Sequence, residues 1–301
     1  MRPSYRGRFA PSPSGPLHRG SLIAALASWL DARAQNGKWL IRIENIDPPR
    51  ERPGAAQEQI RALAELGMVS DEPIVYQSAR SDAYLASLHQ LQNGGMTYLC
   101  SCSRSEQLAA VAGAAQRVYP GTCRGRSVSP PAAVRVRVPA GRFLFTDRAL
   151  GSFEQDLAQD VGDFIVRRSD GLWAYQLAVV VDDAYQGITD VVRGADLLDN
   201  TPRQMMLQRA LGLAHPRYLH VPLLCDENGK KFSKHEGAAA LATGCALGEL
   251  ERAWQHLGFA PLGARTIGDF QHRAIARWRE RWGPGAGTPA QLSAARLEQT
   301  T

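Results

Sequence analysis

Apolar and polar positions along this chain fall into short blocks whose periods switch between two and 3.6 residues. Residues 6–10 and 39–44 alternate as short strands do, the second placing Ile41 and Ile43 on one face before it ends in Glu-Asn. Between them, residues 20–34 carry Leu22, Ile23, Leu26, Trp29 and Leu30 at helical spacing. Strand, helix and strand within about 40 residues predict the right-handed crossover unit of a parallel sheet. Amphipathic helices are expected over 57–66 and 83–92. From Tyr98 to about Ala140 the texture changes to Cys, Gly, Pro and Arg, as in an inserted subdomain. The parallel-sheet pattern is expected to resume at 163–167 and at 176–181, a near-continuous apolar run of the kind buried on both faces. A helix over 203–211 and a last strand over 219–224 follow, then helices over 247–257 and 270–282.

Composition narrows the class. With 301 residues, 44% hydrophobic and 21% charged, the chain is long enough for a real core and has the balance of an ordinary soluble protein. No apolar run approaches the roughly 20 residues that span a bilayer. The N-terminal MRPSYRGRFAPSPSG lacks a signal-peptide core, so a cytoplasmic protein with no membrane association is expected. A net charge of +6 fits a polyanionic partner. Five cysteines, an odd number, argue against a disulfide scaffold and leave metal binding or plain burial.

The candidate chemistry sits in two motifs. Only four of the 35 basic side chains are lysines, and Lys230, Lys231 and Lys234 share the segment GKKFSKH (229–235). A chain that otherwise uses arginine keeps lysine where a compact ammonium on a flexible stem is needed. Alone, the segment reads equally as a solvated basic turn. The second motif, RFAPSPSGPLHRGSL (8–22), puts a Pro/Ser/Gly turn after the first strand and His-x-Gly at a helix start. A helix N-terminus offers unsatisfied N–H groups and partial positive charge, which suits phosphate. His18 can donate to phosphate oxygens, and Gly20 lets a nucleotide approach the backbone. Together the motifs can clamp one triphosphate from two sides.

HRGS and KFSKH resemble the paired signatures of class I aminoacyl-tRNA synthetases. The first turn, IRIENID (41–47), YQSAR (76–80), DFIVRRSDG (163–171), VVDDAYQGITDVVRGADLL (180–198) and NTPRQ (200–204) are similar to glutamyl-tRNA synthetases. Only about 60 residues follow the lysine segment, against the large anticodon-binding region of full-length glutamyl enzymes. With the WAYQLAVVVDD run (173–183) and the cysteine-rich insert, this resembles the truncated glutamyl-queuosine tRNA(Asp) synthetases.

The resemblance implies an α/β fold: a Rossmann-like parallel-sheet catalytic domain (1–97 and 150–237), a cysteine-rich insert (98–149) and a short helical C-terminal region (238–301). It implies ATP-dependent activation of L-glutamate and transfer to the queuosine base in the anticodon of tRNA(Asp), by a monomeric ligase with Mg²⁺ accompanying ATP. It places Arg8, Ala10, Ser12, Glu44, Tyr175 and Arg193 around glutamate. The chemistry agrees, since arginine pairs with carboxylate in a bidentate way and Glu44 suits the α-ammonium. It places His18, Gly20, Ser21, Lys231 and Lys234 on ATP, with His18 and Lys234 catalytic. Loss of one such contact commonly costs about 10²–10³ in rate, so Lys234→Ala is expected to nearly abolish activation. Ser21 stands where the family has a second histidine.

Cys100, Cys102 and Cys123 have metal-site character, and three thiolates suit tetrahedral zinc. The resemblance implies that Tyr119 completes a structural Zn²⁺ site, one per chain; three buried thiols is the alternative. Cys225 and Cys245 are expected to be packed. Arg273, Arg277, Arg279 and Arg281 near Trp278 and Trp282 read either as a tRNA-facing patch or, preferably, as the solvated face of a packed helix. Two further functions stay open: a truncated glutamyl-tRNA synthetase charging a tRNA 3′ end, and a non-catalytic tRNA-binding paralogue.

Overall fold

The alternating blocks at the start of the chain become parallel strands. β1 (Arg6–Phe9) pairs with β2 (Lys38–Ile43), Arg6 beside Lys38 and Phe9 beside Ile41, while α1 (Arg19–Ala34) crosses between them. After α2 (Ala55–Glu65), the short β3 (Val75–Tyr76) extends this sheet beyond β2. The computed structural model describes residues 4–109, 118–222 and 244–283. Lys230, Lys231, Lys234 and Cys225 lie outside the described residues.

α3 (Ser81–Asn93) leads into the cysteine-bearing region, where β4 (Thr97–Cys100) is followed by α4 (Arg104–Ala109) and then by β5 (Ala133–Val136), antiparallel to β4. β6 (Arg142–Asp147) and β7 (Gly151–Asp156) form an antiparallel pair, and a short α5 (Leu157–Asp160) precedes β8 (Ile165–Arg167). Then come α6 (Tyr175–Tyr185), β9 (Asp190–Gly194), α7 (Thr201–Leu211) and β10 (Arg217–Val221). β10 lies between β9 and β6, parallel to both, and His220 sits beside Arg193. Arg6 and Thr189 join this mixed sheet to the β1–β2–β3 sheet, the Thr189 N–H donating to the Arg6 carbonyl over 2.9 Å. α8 (Ala246–His256) and α9 (Ile267–Trp282) complete the described chain.

Two expected strands need correction. Residues 176–181 are not a strand but the middle of α6, and Gln176 to Asp183 are all buried. A short apolar run buried all round shows no period, so helix and strand look alike in it. The parallel strand of this region is instead β9, whose two valines between Asp190 and Arg193 are too few to stand out. The strand expected at 163–167 exists as β8, but it joins the antiparallel β4–β5 sheet.

Strand alternation explains how the core divides. Trp39, Ile41 and Ile43 of β2 pack with α1 on one side, while Leu40 packs with α3, α6 and α7 on the other. Arg42 is wholly buried between Ile41 and Ile43. The first core also takes in Trp254 of α8 and Phe270 and Trp278 of α9. Each such burial is worth about 1.5–3 kcal/mol. The Trp278 Nε1–H donates to buried Asp31 of α1 over 2.9 Å, and Asp31 also accepts from Tyr5 and Arg148. The C-terminal helices are therefore built into the core beside α1. Their arginines are engaged within the protein: Arg273 with Asp269 and Arg277 with Glu280 along α9, and Arg279 with the Ala34 carbonyl of α1. That is the packed-helix alternative. Among the described residues no helix is long and apolar enough to cross a membrane.

Candidate active site

The C-terminal ends of β1, β2, β9 and β10 open onto one cavity of about 860 Å³. β1 continues to β2 on one side and β9 to β10 on the other, so the cavity lies where strand order reverses, the usual ligand crevice of an open α/β sheet. Arg8, Ala10, Ser12, His18, Gly20, Ser21, Glu44, Tyr175 and Arg193 all line it. These are all the expected glutamate and phosphate residues that fall among the described ones.

One wall is a network of ions. Arg8 at the end of β1 is buried, and its Nε donates to Asp183 of α6 over 3.1 Å. The terminal nitrogens of Arg8 have no hydrogen-bond partner among the described residues, and Arg8 is one of the residues that line the cavity. Arg42 donates to the same Asp183 oxygen over 2.7 Å, to Gln186 over 2.8 Å and to Glu44 over 3.3 Å. Burial works against the Asp183 charge, but Arg8 and Arg42 outweigh it and hold its carboxyl below the usual range. For Glu44 burial wins over Arg42 and Arg8, and its pKa is raised. Burial also raises that of Tyr175, at the first turn of α6.

The opposite wall is built from neutral groups. Arg193, buried at the end of β9, donates from Nε to His220 over 3.0 Å. It also donates to Gln204 over 2.8 Å, to Thr201 over 2.7 Å and to the Leu197 carbonyl over 3.2 Å. No carboxylate pairs with it among the described residues; a surface salt bridge to Asp190 or Asp196 does not form. Four of its five N–H groups are engaged, and one Nη1–H is left over.

The floor is the turn after β1 and the start of α1. Gln59 of α2 donates to the Gly15 carbonyl over 2.7 Å and to that of Ser12 over 3.2 Å, and the Glu44 N–H reaches the Pro11 carbonyl over 2.9 Å. His18 caps α1, its Nδ1 accepting from the Ser21 N–H over 3.1 Å. The Ser21 hydroxyl lies 3.0 Å from His18 Nε2. A Cβ on Gly20 would lie 3.3 Å from the His18 ring, so this glycine first makes room for the imidazole. Arg19 points away, bound through two nitrogens to buried Glu249 of α8.

Apart from the cavity, the sulfurs of Cys100, Cys102 and Cys123 lie within 4.8 Å of one another, an arrangement that could hold a metal ion. Tetrahedral zinc with Zn–S near 2.3 Å needs sulfurs about 3.8 Å apart. Cys102 and Cys123 sulfurs are 3.4 Å apart, and the Tyr119 hydroxyl is 3.3 Å from Cys100 and 3.6 Å from Cys102. The donor set fits such an ion. Arg135 adds positive charge, its Nε 3.3 Å from the Cys100 sulfur and its guanidinium 3.7 Å from the Tyr119 ring centre. Burial disfavours the Cys123 thiolate, but hydrogen bonds led by the one with Tyr119 bring its pKa down to about 7. Cys245 is exposed, not packed as expected, because it precedes α8 at the surface.

Sequence reasoning missed Arg42, Asp183, Thr201, Gln204, His220 and Asp147. Arg42 was detectable, as a charge between two core isoleucines of a strand. Asp183 stood in a quoted motif without a role, and the others come together only when β6, β9, β10 and α7 assemble.

Comparison with known proteins identifies the family of this chain. The catalytic-domain model of the class I tRNA synthetases (E and Q) matches residues 4–248. A Glutamyl-Q tRNA(Asp) synthetase of Burkholderia cenocepacia is 53% identical over 298 residues, covering 95% of this chain and 100% of that protein. One of Burkholderia mallei is 54% identical over 292 residues, covering 94% and 98%. The crystal structure of a glutamate-tRNA synthetase from Elizabethkingia anophelis superposes with a TM-score of 0.70 at 28% identity, covering 78% of this chain. The match takes in 53% of that structure, so this chain spans about half its length. An α/β crevice with the expected residues around it and a family match over most of its length make this chain a member of the class I tRNA synthetases of the E and Q type, and a ligase.

Proposed function

We propose that this ligase activates L-glutamate with ATP and transfers the glutamyl group to the queuosine base in the anticodon of tRNA(Asp). The observation that carries the amino-acid assignment is the charge of the cavity walls. Arg8, Arg42 and Arg193 stand with Asp183 and Glu44, and the lining Arg50 and Arg168 are matched in number by Asp47 and Asp196, which leaves one positive charge, the complement of glutamate's net single negative charge. Glutamine, net neutral, would leave that charge buried and unmatched. The unpartnered fork of Arg8 and the remaining Nη1–H of Arg193 are donors for the two carboxylates. Glu44 accepts from the α-ammonium, and the Tyr175 ring packs the aliphatic stem.

In the activation step a glutamate carboxylate oxygen attacks the α-phosphorus of ATP and pyrophosphate leaves. A nucleophile on the modified base then attacks the activated carbonyl and AMP leaves. The protein positions reactants and stabilises charge spreading over the phosphates. His18, Gly20 and Ser21 at the start of α1 hold one side of the triphosphate, and Lys231 and Lys234 the other. Mg²⁺ bound with ATP would neutralise phosphate charge. Zn²⁺ on Cys100, Cys102, Cys123 and Tyr119 would staple the insert (98–149) between the two parts of the catalytic domain (1–97 and 150–237). The acceptor assignment rests on the names of relatives at 53–54% identity. The reading includes a monomer working in the cytoplasm, where ATP and tRNA meet.

The test has two steps. Glutamate-dependent ATP–pyrophosphate exchange is measured without tRNA, and labelled glutamate is then offered with tRNA(Asp) that carries or lacks queuosine. Labelling of the queuosine form alone is expected. Equal labelling of both forms, or labelling of tRNA(Glu), would overturn the acceptor assignment.

A further inference from the structure

Arg193 is aimed into the cavity by a side chain that does not itself line it. His220 of β10 is fully buried, and its Nε2 lies 3.0 Å from Arg193 Nε. An arginine Nε–H can only donate, so His220 Nε2 must accept. The single proton of the neutral ring is then on Nδ1, which lies 2.6 Å from an oxygen of buried Asp147. That oxygen also accepts from the His220 main-chain N–H over 3.1 Å, while the other accepts from Ala149 and Leu150 over 2.9 and 3.0 Å. Asp147 is thus locked in place from three main-chain sites and can serve only as the acceptor. Burial also lowers the pKa of His220, which favours the neutral ring this geometry requires. A carboxylate in the place of His220 would orient Arg193 equally well but would cancel its charge.

We propose that Asp147 and His220 are positioning residues for Arg193. Asp147 sets the His220 tautomer, and His220 orients the guanidinium without neutralising it, so that Arg193 prefers a carboxylate over a carboxamide. The inference rests on the cavity being a glutamate site, and it predicts how the preference for glutamate over glutamine is maintained. Asp147 lies at the end of the β6 strand that follows the cysteine region, so that region's exit also reaches the amino-acid wall.

Three variants separate this role from simple packing. In Asp147→Asn the amide would donate to His220 Nδ1, moving the ring proton to Nε2 to face another donor. His220→Asn keeps a donor near Asp147 but loses the acceptor for Arg193; His220→Gln does the reverse. In glutamate-dependent ATP–pyrophosphate exchange, D147N and H220N are expected to raise the glutamate KM about tenfold or more. Their kcat should change less, and the preference for glutamate over glutamine should fall in step. H220Q should recover most of the lost affinity. A packing role predicts the opposite order, with H220N better than H220Q, and that order would overturn the proposal. Nitrogen NMR of the wild-type imidazole gives a readout that needs neither a variant nor activity. A proton on Nδ1 is expected, and one on Nε2 would sink the relay. Absence of glutamate-dependent exchange in the wild type would refute the glutamate reading itself, whereas normal exchange with unaltered D147N and H220N would refute only the relay.

Discussion

The two walls of the cavity hold their arginines by opposite means. On the β1–β2 side, Arg8 and Arg42 share Asp183, and Glu44 stands beside them, so charge answers charge. On the β9–β10 side, Arg193 is held by an imidazole, an amide, a hydroxyl and a carbonyl, none of them charged, with one Nη1–H left over. Ion pairing supports a buried charge strongly but spends its field on the partner. Neutral acceptors support it less and leave the field for a ligand. The first wall is suited to holding a zwitterionic head and the second to selecting a carboxylate by charge.

The largest expected effect comes from removing the uncompensated charge. Arg193→Ala should lower kcat/KM for glutamate in pyrophosphate exchange by about 10²–10³. Its stability loss in denaturant should be smaller than that of Arg8→Ala, because Arg193 leaves behind neutral acceptors and Arg8 leaves part of a buried carboxylate charge. Equal stability losses would break the distinction between the walls. A subtler change keeps the side-chain size and cancels the charge. Gln204→Glu would place a carboxylate on Arg193 and should raise the glutamate KM roughly 10–10²-fold while the protein stays folded. An unchanged KM would show that the field of Arg193 is not what selects the ligand.

The ionic wall should reveal itself in acid. Glu44 has a raised pKa, so it becomes neutral as pH falls through a value above its ordinary 4.5 and loses its attraction for an ammonium. The glutamate KM should rise severalfold over that range, and Glu44→Gln should start weaker and lack this acid limb. The linked stability terms have opposite signs. Between its ordinary and its raised pKa the folded chain binds more protons at Glu44, so that contribution falls as pH rises. Asp183, with a lowered pKa, contributes stability present above its ordinary value and lost as pH falls through its folded one. The smallest effect on either wall should come from the thiol cluster. Zinc-selective chelation, with Mg²⁺ restored, should remove about one metal per chain and lower the melting temperature. It should leave the glutamate KM within about threefold, because a metal held there would supply folding energy and the cluster is not part of either wall.

Local pattern made much of this legible. The β1–α1–β2 crossover follows from alternation around Ile41 and Ile43 and from the Leu22–Leu26–Trp29 spacing, since period reports which face is buried. Gln176 to Val181 misled for the converse reason: α6 is buried on nearly every side, and uniform burial erases the period. Arg8, Glu44, Tyr175 and Arg193 could be named in advance because they stand in short motifs that resemble a known family. Their partners could not, because a hydrogen-bond partner is fixed by register and packing, not by spacing along the chain.

By itself, then, the sequence determined the α/β class, the helix start at His18, the strand ends that carry Arg8 and Glu44, and the cysteine trio. Only the tertiary structure decided that Arg193 would have neutral partners while Arg8 would have an ionic one. The parallel register of β9 and β10 sets His220 beside Arg193, and the end of β6 brings Asp147 behind it. Residues 73 apart in the chain meet there at 2.6 Å, a contact that long-range strand pairing creates and that no local propensity encodes.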